Sequence, residues 1–333
     1  PHINFTIDEA GHLETPITLA ETADASNVSI ASARFEDAIV TVTDMRSGES
    51  RAVSGFAGDM RMTGVRGPFA LQGEGAFEGS NYVIRFATSA MNADGHMQVT
   101  SFLRPVEGGY SVSLEGLLQT GSDPVFEGQG VFRRPVESED GIAGDLVLSS
   151  PVTATSSEVL LTGFTLLPNE DQAATRMTGS ASVTLGARPR FNAVISGGVV
   201  TLLPRLATED SSRQPFELVR MLRELPRPVL PPLPGRIGVD INELVLRGTG
   251  LREVRLDAVT NGELWRIEEF SGRLAGDTTL RLEGTLGRQA GWPAFDGRLD
   301  VSARRLDALS LLWRRTEEGN PLFNMPGQLT GDV

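Results

Sequence analysis

The sequence predicts a mostly β chain: a long antiparallel sheet built from repeated hairpins, with one or two short helices. Three observations carry that expectation. Apolar and polar residues alternate with a period of two, turn residues recur at close spacing, and one hairpin is repeated along the chain.

The alternation is clean in several places. In Tyr110-Ser-Val-Ser-Leu-Glu-Gly, Tyr110, Val112 and Leu114 point one way, and Ser111, Ser113 and Glu115 the other. In Leu251-Arg-Glu-Val-Arg-Leu-Asp-Ala-Val the apolar set is Val254, Leu256 and Ala258, with Arg255 opposed to it. In Thr279-Leu-Arg-Leu-Glu-Gly it is Leu280 and Leu282, with Arg281 and Glu283 on the other face. Such strands are half-buried, with one apolar and one solvated face. Between strands come Arg46-Ser-Gly, Glu107-Gly-Gly, Asp140-Gly and Asn261-Gly, the signals of hairpin turns. Allowing about 10 residues per strand and turn gives roughly 25–30 strands, and the 37 glycines are expected mostly at turns and strand ends.

Helical patterning is confined to two places. Gln214 to Leu225 places Phe216, Val219, Met221, Leu222 and Leu225 near helical spacing. The prolines from Pro226 to Pro234 then favour an extended run. Asp307 is a plausible N-cap for a second helix to Glu317, carrying Leu309, Leu311, Leu312 and Trp313. The organisation expected is a β segment over 1–212, a helix and proline-rich linker over 213–235, and a second β segment over 236–333 ending in a short helix.

The repeat is the most informative feature. Leu114-Glu-Gly-Leu-Leu leads to Pro124-Val-Phe-Glu-Gly, and Leu282-Glu-Gly-Thr-Leu leads to Pro293-Ala-Phe-Asp-Gly. A weaker third copy pairs Met177-Thr-Gly with Pro189-Arg-Phe. Each reads as strand, turn and proline-led strand, because proline at a strand's first residue removes no ladder hydrogen bond.

Composition excludes much chemistry. There is no cysteine, and there are three histidines: His2, His12 and His96. Disulfides, thiolate metal sites and cysteine nucleophiles are therefore absent. The 30 basic residues are all arginine, against 43 acidic ones, for a net charge of −13. A chain this acidic lacks the field that neutralises phosphates, so nucleic acid is not an expected partner. Gly73-Glu-Gly75 with Gly79 has the wrong spacing for a dinucleotide loop. The acidic clusters at Glu137-Ser-Glu139-Asp140 and Glu268-Glu269 lack the order of a calcium loop. No cofactor, no metal and no enzymatic activity are expected. No apolar run is long enough to span a membrane as a helix. The chain opens at Pro1 without a methionine and reads as a piece of a longer protein whose signal or anchor lies outside it.

Several segments, in order, resemble the central part of AsmA-family proteins. They are Ala31-Ser-Ala-Arg-Phe-Glu-Asp-Ala-Ile-Val-Thr-Val-Thr-Asp-Met-Arg-Ser-Gly, then Val65-Arg-Gly-Pro-Phe-Ala-Leu-Gln-Gly-Glu-Gly, then Ile267 to Leu286, and Phe295-Asp-Gly-Arg-Leu before the leucine-rich stretch with Trp313. The likeness covers roughly residues 30 to 315. It implies an elongated, twisted β-sheet forming an open apolar groove, in the periplasm of a Gram-negative bacterium, anchored in the inner membrane through a segment outside this chain. It also implies conduction of phospholipid between inner and outer membranes, in support of outer-membrane biogenesis. Val112, Leu114, Val254, Leu256, Leu280, Leu282 and Phe295 would line the groove and meet acyl chains. Burying one lipid tail supplies on the order of 10 kcal/mol, at roughly 0.8 kcal/mol per CH₂, so no specific polar contact is required. Two other readings stay open: a β-solenoid adhesin or autotransporter-passenger-like binding protein, and a polysaccharide-active β-helix enzyme.

Overall fold

The structure is a computed structural model. It describes residues 1–11, 13–14, 29–64, 66–77, 79–107, 109–121, 123–138, 141–169, 175–202, 231, 233–246, 249–289, 292–305 and 325–332. Among them there is no helix, and both helical expectations, 214–225 and 307–317, lie outside the described residues.

Among the described residues every regular element is a strand, and the 19 described strands belong to one open sheet. In chain order they are β1 (His2–Ile7), β2 (Leu13–Glu14), β3 (Ile30–Asp44), β4 (Glu49–Met62), β5 (Phe69–Phe77), β6 (Ser80–Thr88), β7 (His96–Pro105), β8 (Ser111–Gln119), β9 (Val125–Ser138) and β10 (Gly141–Ala154). They continue as β11 (Glu158–Leu167), β12 (Met177–Thr184), β13 (Arg190–Leu202), β14 (Gly235–Leu246), β15 (Thr249–Thr260), β16 (Trp265–Leu274), β17 (Thr278–Gln289), β18 (Trp292–Ala303) and β19 (Gly327–Asp332). Several of the described strands are longer than the turn spacing predicts. β3 has 15 residues and β4 has 14, because their alternation runs on through β-bulges that do not end a strand.

β3 to β9 form an antiparallel meander in which each strand pairs with the next. β14 to β19 form another. The pairs β1 with β3 and β13 with β14 are parallel. Each is joined by a long connection, as a parallel pair requires. The turns expected at Arg46-Ser-Gly and Asn261-Gly are present, while Gly108 and Asp140 of the two others lie outside the described residues. At Asn261, for example, Oδ1 accepts hydrogen bonds from the N–H groups of Glu263 (3.0 Å) and Leu264 (3.1 Å).

The chain forms two compact units. One comprises Pro1–Pro135, Leu146–Thr165 and Ser182–Pro189; the other Val136–Asp145, Leu166–Ala181 and Arg190–Val333. The second unit has its core at Val200, Ile241 and Val254, with Met177, Val239, Leu244, Leu251 and Phe270 packed against it.

Many glycines sit inside strands, not at their ends. Gly58 faces Gly73, Gly116 faces Gly128, and Gly284 faces Gly297 across neighbouring strands. A Cβ on Gly128 would lie 2.3 Å from the Glu115 carbonyl oxygen and 2.7 Å from Gly116 Cα. A Cβ on Gly297 would lie 2.2 Å and 2.6 Å from the matching atoms of Glu283 and Gly284. A missing Cβ that would strike its neighbour's backbone means the sheet is creased there, toward the face those Cβ atoms would occupy. Glycine kinks of this kind introduce curvature. A phenylalanine two residues earlier covers each bare pair: Phe56, Phe126 and Phe295 each have a ring carbon within 2.9 Å of the Cβ position. The repeated hairpin is thus a phenylalanine-capped glycine crease. The weaker third copy differs, because Phe191 covers Gly235 on the parallel neighbour β14.

Candidate functional site

Residues directly opposite on antiparallel strands put their side chains on the same face. The register therefore assembles the predicted groove residues into rows. In the second unit one row runs Val239, Leu256, Phe270, Leu282, Leu299 from β14 to β18. Ile195 of β13 extends it through the parallel pair. Beside it Ile241 faces Val254, and Leu280 faces Gly272 and Val301. On the other side lie Trp265, Leu286 and Phe295. The first unit has the same design. Val112 belongs to the row Phe35, Gly58, Gly73, Ile84, Leu103, Val112, Phe132. Leu114 belongs to Ala33, Met60, Leu71, Phe86, Ser101, Leu114, Gly130.

The structure places all seven predicted residues on these faces: Val112 and Leu114 in the first unit, and Val254, Leu256, Leu280, Leu282 and Phe295 in the second. Val254 is buried, and the other six are half-buried. The described strands that carry these faces belong to one sheet. Arg255, Arg281 and Glu283 are exposed on the reverse face, as the alternation predicts.

The faces curve inward. Phe191 on β13 and Trp265 on β16 have ring centroids 6.2 Å apart, although three strand steps span about 14 Å in a flat sheet. Gly235, between them in the row, leaves room for the approach. In the first unit Tyr110 packs against Tyr82 at 5.8 Å and Phe132 at 5.5 Å. Curvature places each apolar side chain against its neighbours. This explains how Val254 stays 3% exposed and Val200 1% in a single sheet.

The reverse face is polar and paired. Arg252 meets Glu243 at 3.6 Å, Arg255 meets Asp240 at 3.8 Å, and Arg273 meets Glu253 at 3.2 Å. Asp240, Glu253, Arg255 and Arg273 line a shallow depression of about 600 Å³ with Asn242, Glu269, Ser271 and Arg281. It sits at a bulge where Glu253 takes a left-handed φ of 51° and the register slips between Arg252 and Arg255. Its mixed charges neutralise one another and converge on no single ligand charge. Glu268, in one of the acidic clusters, is bonded to Arg236 and to Arg266. Among the described residues no three acidic or histidine side chains gather as a metal site would need.

Sequence reasoning missed Phe270, Leu299, Val239 and Ile195 as members of the same row. Phe270 escapes a strict period of two, because the register slips between Ile267 and Phe270. Ile195 escapes because β13 joins the row through a parallel pair, whose register a sequence does not show.

Comparison with family models, with curated proteins and with solved structures finds no match for this chain.

Proposed function

We propose that this chain is a periplasmic, phospholipid-conducting segment of an AsmA-like protein, carrying lipid between the inner and outer membranes of a Gram-negative bacterium. The observation that carries the reading is the row from Val239 through Leu256, Phe270 and Leu282 to Leu299. It crosses every strand from β14 to β18 without a polar side chain. An acyl chain needs such a strip and little else, because burial is non-directional and scales with area. Headgroups stay in water while tails pass from one row to the next, and no bond is made or broken. The partners in this reading are acyl chains and, through an anchor outside the chain, the inner membrane. A β-solenoid adhesin fits less well, since solenoid coils stack strands in parallel and the meanders here are hairpins.

A photo-crosslinking phenylalanine analogue at Leu282, followed by lipid extraction and mass spectrometry, tests the proposal. Phospholipid adducts at Leu282 and none at Arg281 are expected. Protein adducts alone at Leu282 would refute the reading.

A further inference from the structure

One arginine in the first unit, Arg46, is ion-paired within its own turn and hydrogen-bonded to a strand end that the strand order places far away. Arg46 lies in the turn between β3 and β4, and Ser156 in the turn between β10 and β11. In a flat meander these turns stand at opposite ends of strands eight steps apart. The usual twist of about 20–25° per step turns β11 through roughly 160–200° relative to β3, so the opposite ends point the same way, and the Arg46 contact with Ser156 shows that the sheet also curls until they meet. At that meeting point Arg46 Nε donates to Asp44 Oδ1 at 2.9 Å and Nη2 to Asp44 Oδ2 at 2.7 Å. The fork fixes the guanidinium plane, and Nη1 donates to the Ser156 carbonyl. The two side chains are 14% and 20% exposed.

Two further turns lie beside the Arg46 side chain. Gly11 has φ +92°, and a Cβ there would lie 3.0 Å from both Arg46 Nη1 and Ser156 Cβ. A Cβ on Gly186 would lie 3.9 Å from Arg46 Cδ, and its neighbour Leu185 donates its N–H to the Ser157 carbonyl at 2.8 Å. The pair Arg34 with Glu36, by contrast, is exposed and touches no distant strand end in its own contact. The Arg46 contact with Ser156 spans 110 residues.

We propose that Asp44, Arg46 and the Ser156 carbonyl form a clasp that holds the sheet of the first unit rolled. Releasing it lets the β10–β11 turn part from the β3–β4 turn and opens the apolar face carrying Val112 and Leu114. The clasp stands on geometry alone and does not depend on what the apolar face binds.

The test uses the whole chain, which has no native cysteine. Nitroxide labels go on Met45→Cys, whose side chain is 55% exposed, and on exposed Ser157→Cys. Electron–electron distances are read in the otherwise unaltered protein, in Arg46→Gln, in Asp44→Asn and in the control Arg34→Gln. The unaltered protein and the control should give one short, narrow distance. Both clasp variants should show a longer-distance population enriched about tenfold, the scale set by losing a charge-assisted hydrogen bond. Unchanged distances in both clasp variants would overturn the proposal. So would loss of the β circular-dichroism signal in both, since the pair would then hold the fold itself.

Discussion

Replacing Gly128 by alanine tests whether the sheet is creased at its glycine pairs. The added methyl would sit 2.7 Å from Gly116 Cα, 2.3 Å from the Glu115 carbonyl oxygen and 2.8 Å from Phe126 Cζ. An ordinary carbon contact is about 3.5 Å or longer, so β8 and β9 must separate by roughly 0.7 Å or more. Overpacking of this kind costs about 1–3 kcal/mol. At about 2–4 °C per kcal/mol for domains of this size, the central value lowers the melting temperature by roughly 4–8 °C. Gly198→Ala is the reference, because a methyl there meets no atom within 4 Å. It should be neutral, or stabilising by about 0.4–1 kcal/mol through the unfolded chain. Thermal and urea melts of both variants read the difference. The double variant Phe126→Ala with Gly128→Ala should recover none of the loss, since the obstacle is backbone and not the ring. Equal melting of the Gly128 and Gly198 variants would refute the crease, and so would full rescue by removing the ring.

Three further outcomes are expected. Asp44 is held below the ordinary carboxylate range, chiefly by its hydrogen bonds from Arg46. The stability it confers is therefore present above its unfolded value of about 3.9 and is lost as the pH falls through the lower folded value. Melts of wild type and Asp44→Asn should differ at pH 7 and converge in strong acid; a gap that persists there would contradict the assignment. Leu282→Asp should abolish lipid crosslinking from a probe at Leu280, because an unpaired carboxylate in an apolar strip costs several kcal/mol. Arg281→Gln should leave that crosslinking intact and stability within about ±0.5 kcal/mol, with folding of both variants checked by circular dichroism. Asn261→Ala removes an acceptor of two backbone N–H groups and should cost about 1 kcal/mol in urea unfolding.

Local pattern was legible in the sequence, and long-range closure was not. Alternation around Val112, Leu256 and Leu282 identified strands and faces, because a period of two is written residue by residue. The repeated Leu-Glu-Gly and Phe-x-Gly pieces were visible, but their meaning as a capped crease needed the register that sets Gly116 against Gly128. The earlier example at Phe56, Gly58 and Gly73 reverses the order of the pieces and lacks a leading proline, so it did not read as a copy. The bulges at Asp37 and Glu253 place residues other than glycine at positive φ, and alternation gives no warning of that. Arg46 read as a turn marker alone, since its partner Ser156 is 110 residues away.

The rows have a consequence for how such a chain can change length. Each strand from β15 to β18 offers a similar apolar profile to both neighbours, and successive strands run in opposite directions. Deleting β16 and β17 together would bring β15 beside β18 still antiparallel, with Leu256 able to face Leu299. Deleting one strand alone would set two strands side by side in the same direction and demand a long crossover. Insertions and losses are thereby quantised in hairpins. A lineage could lengthen or shorten the sheet two strands at a time, with the apolar rows meeting again across each splice.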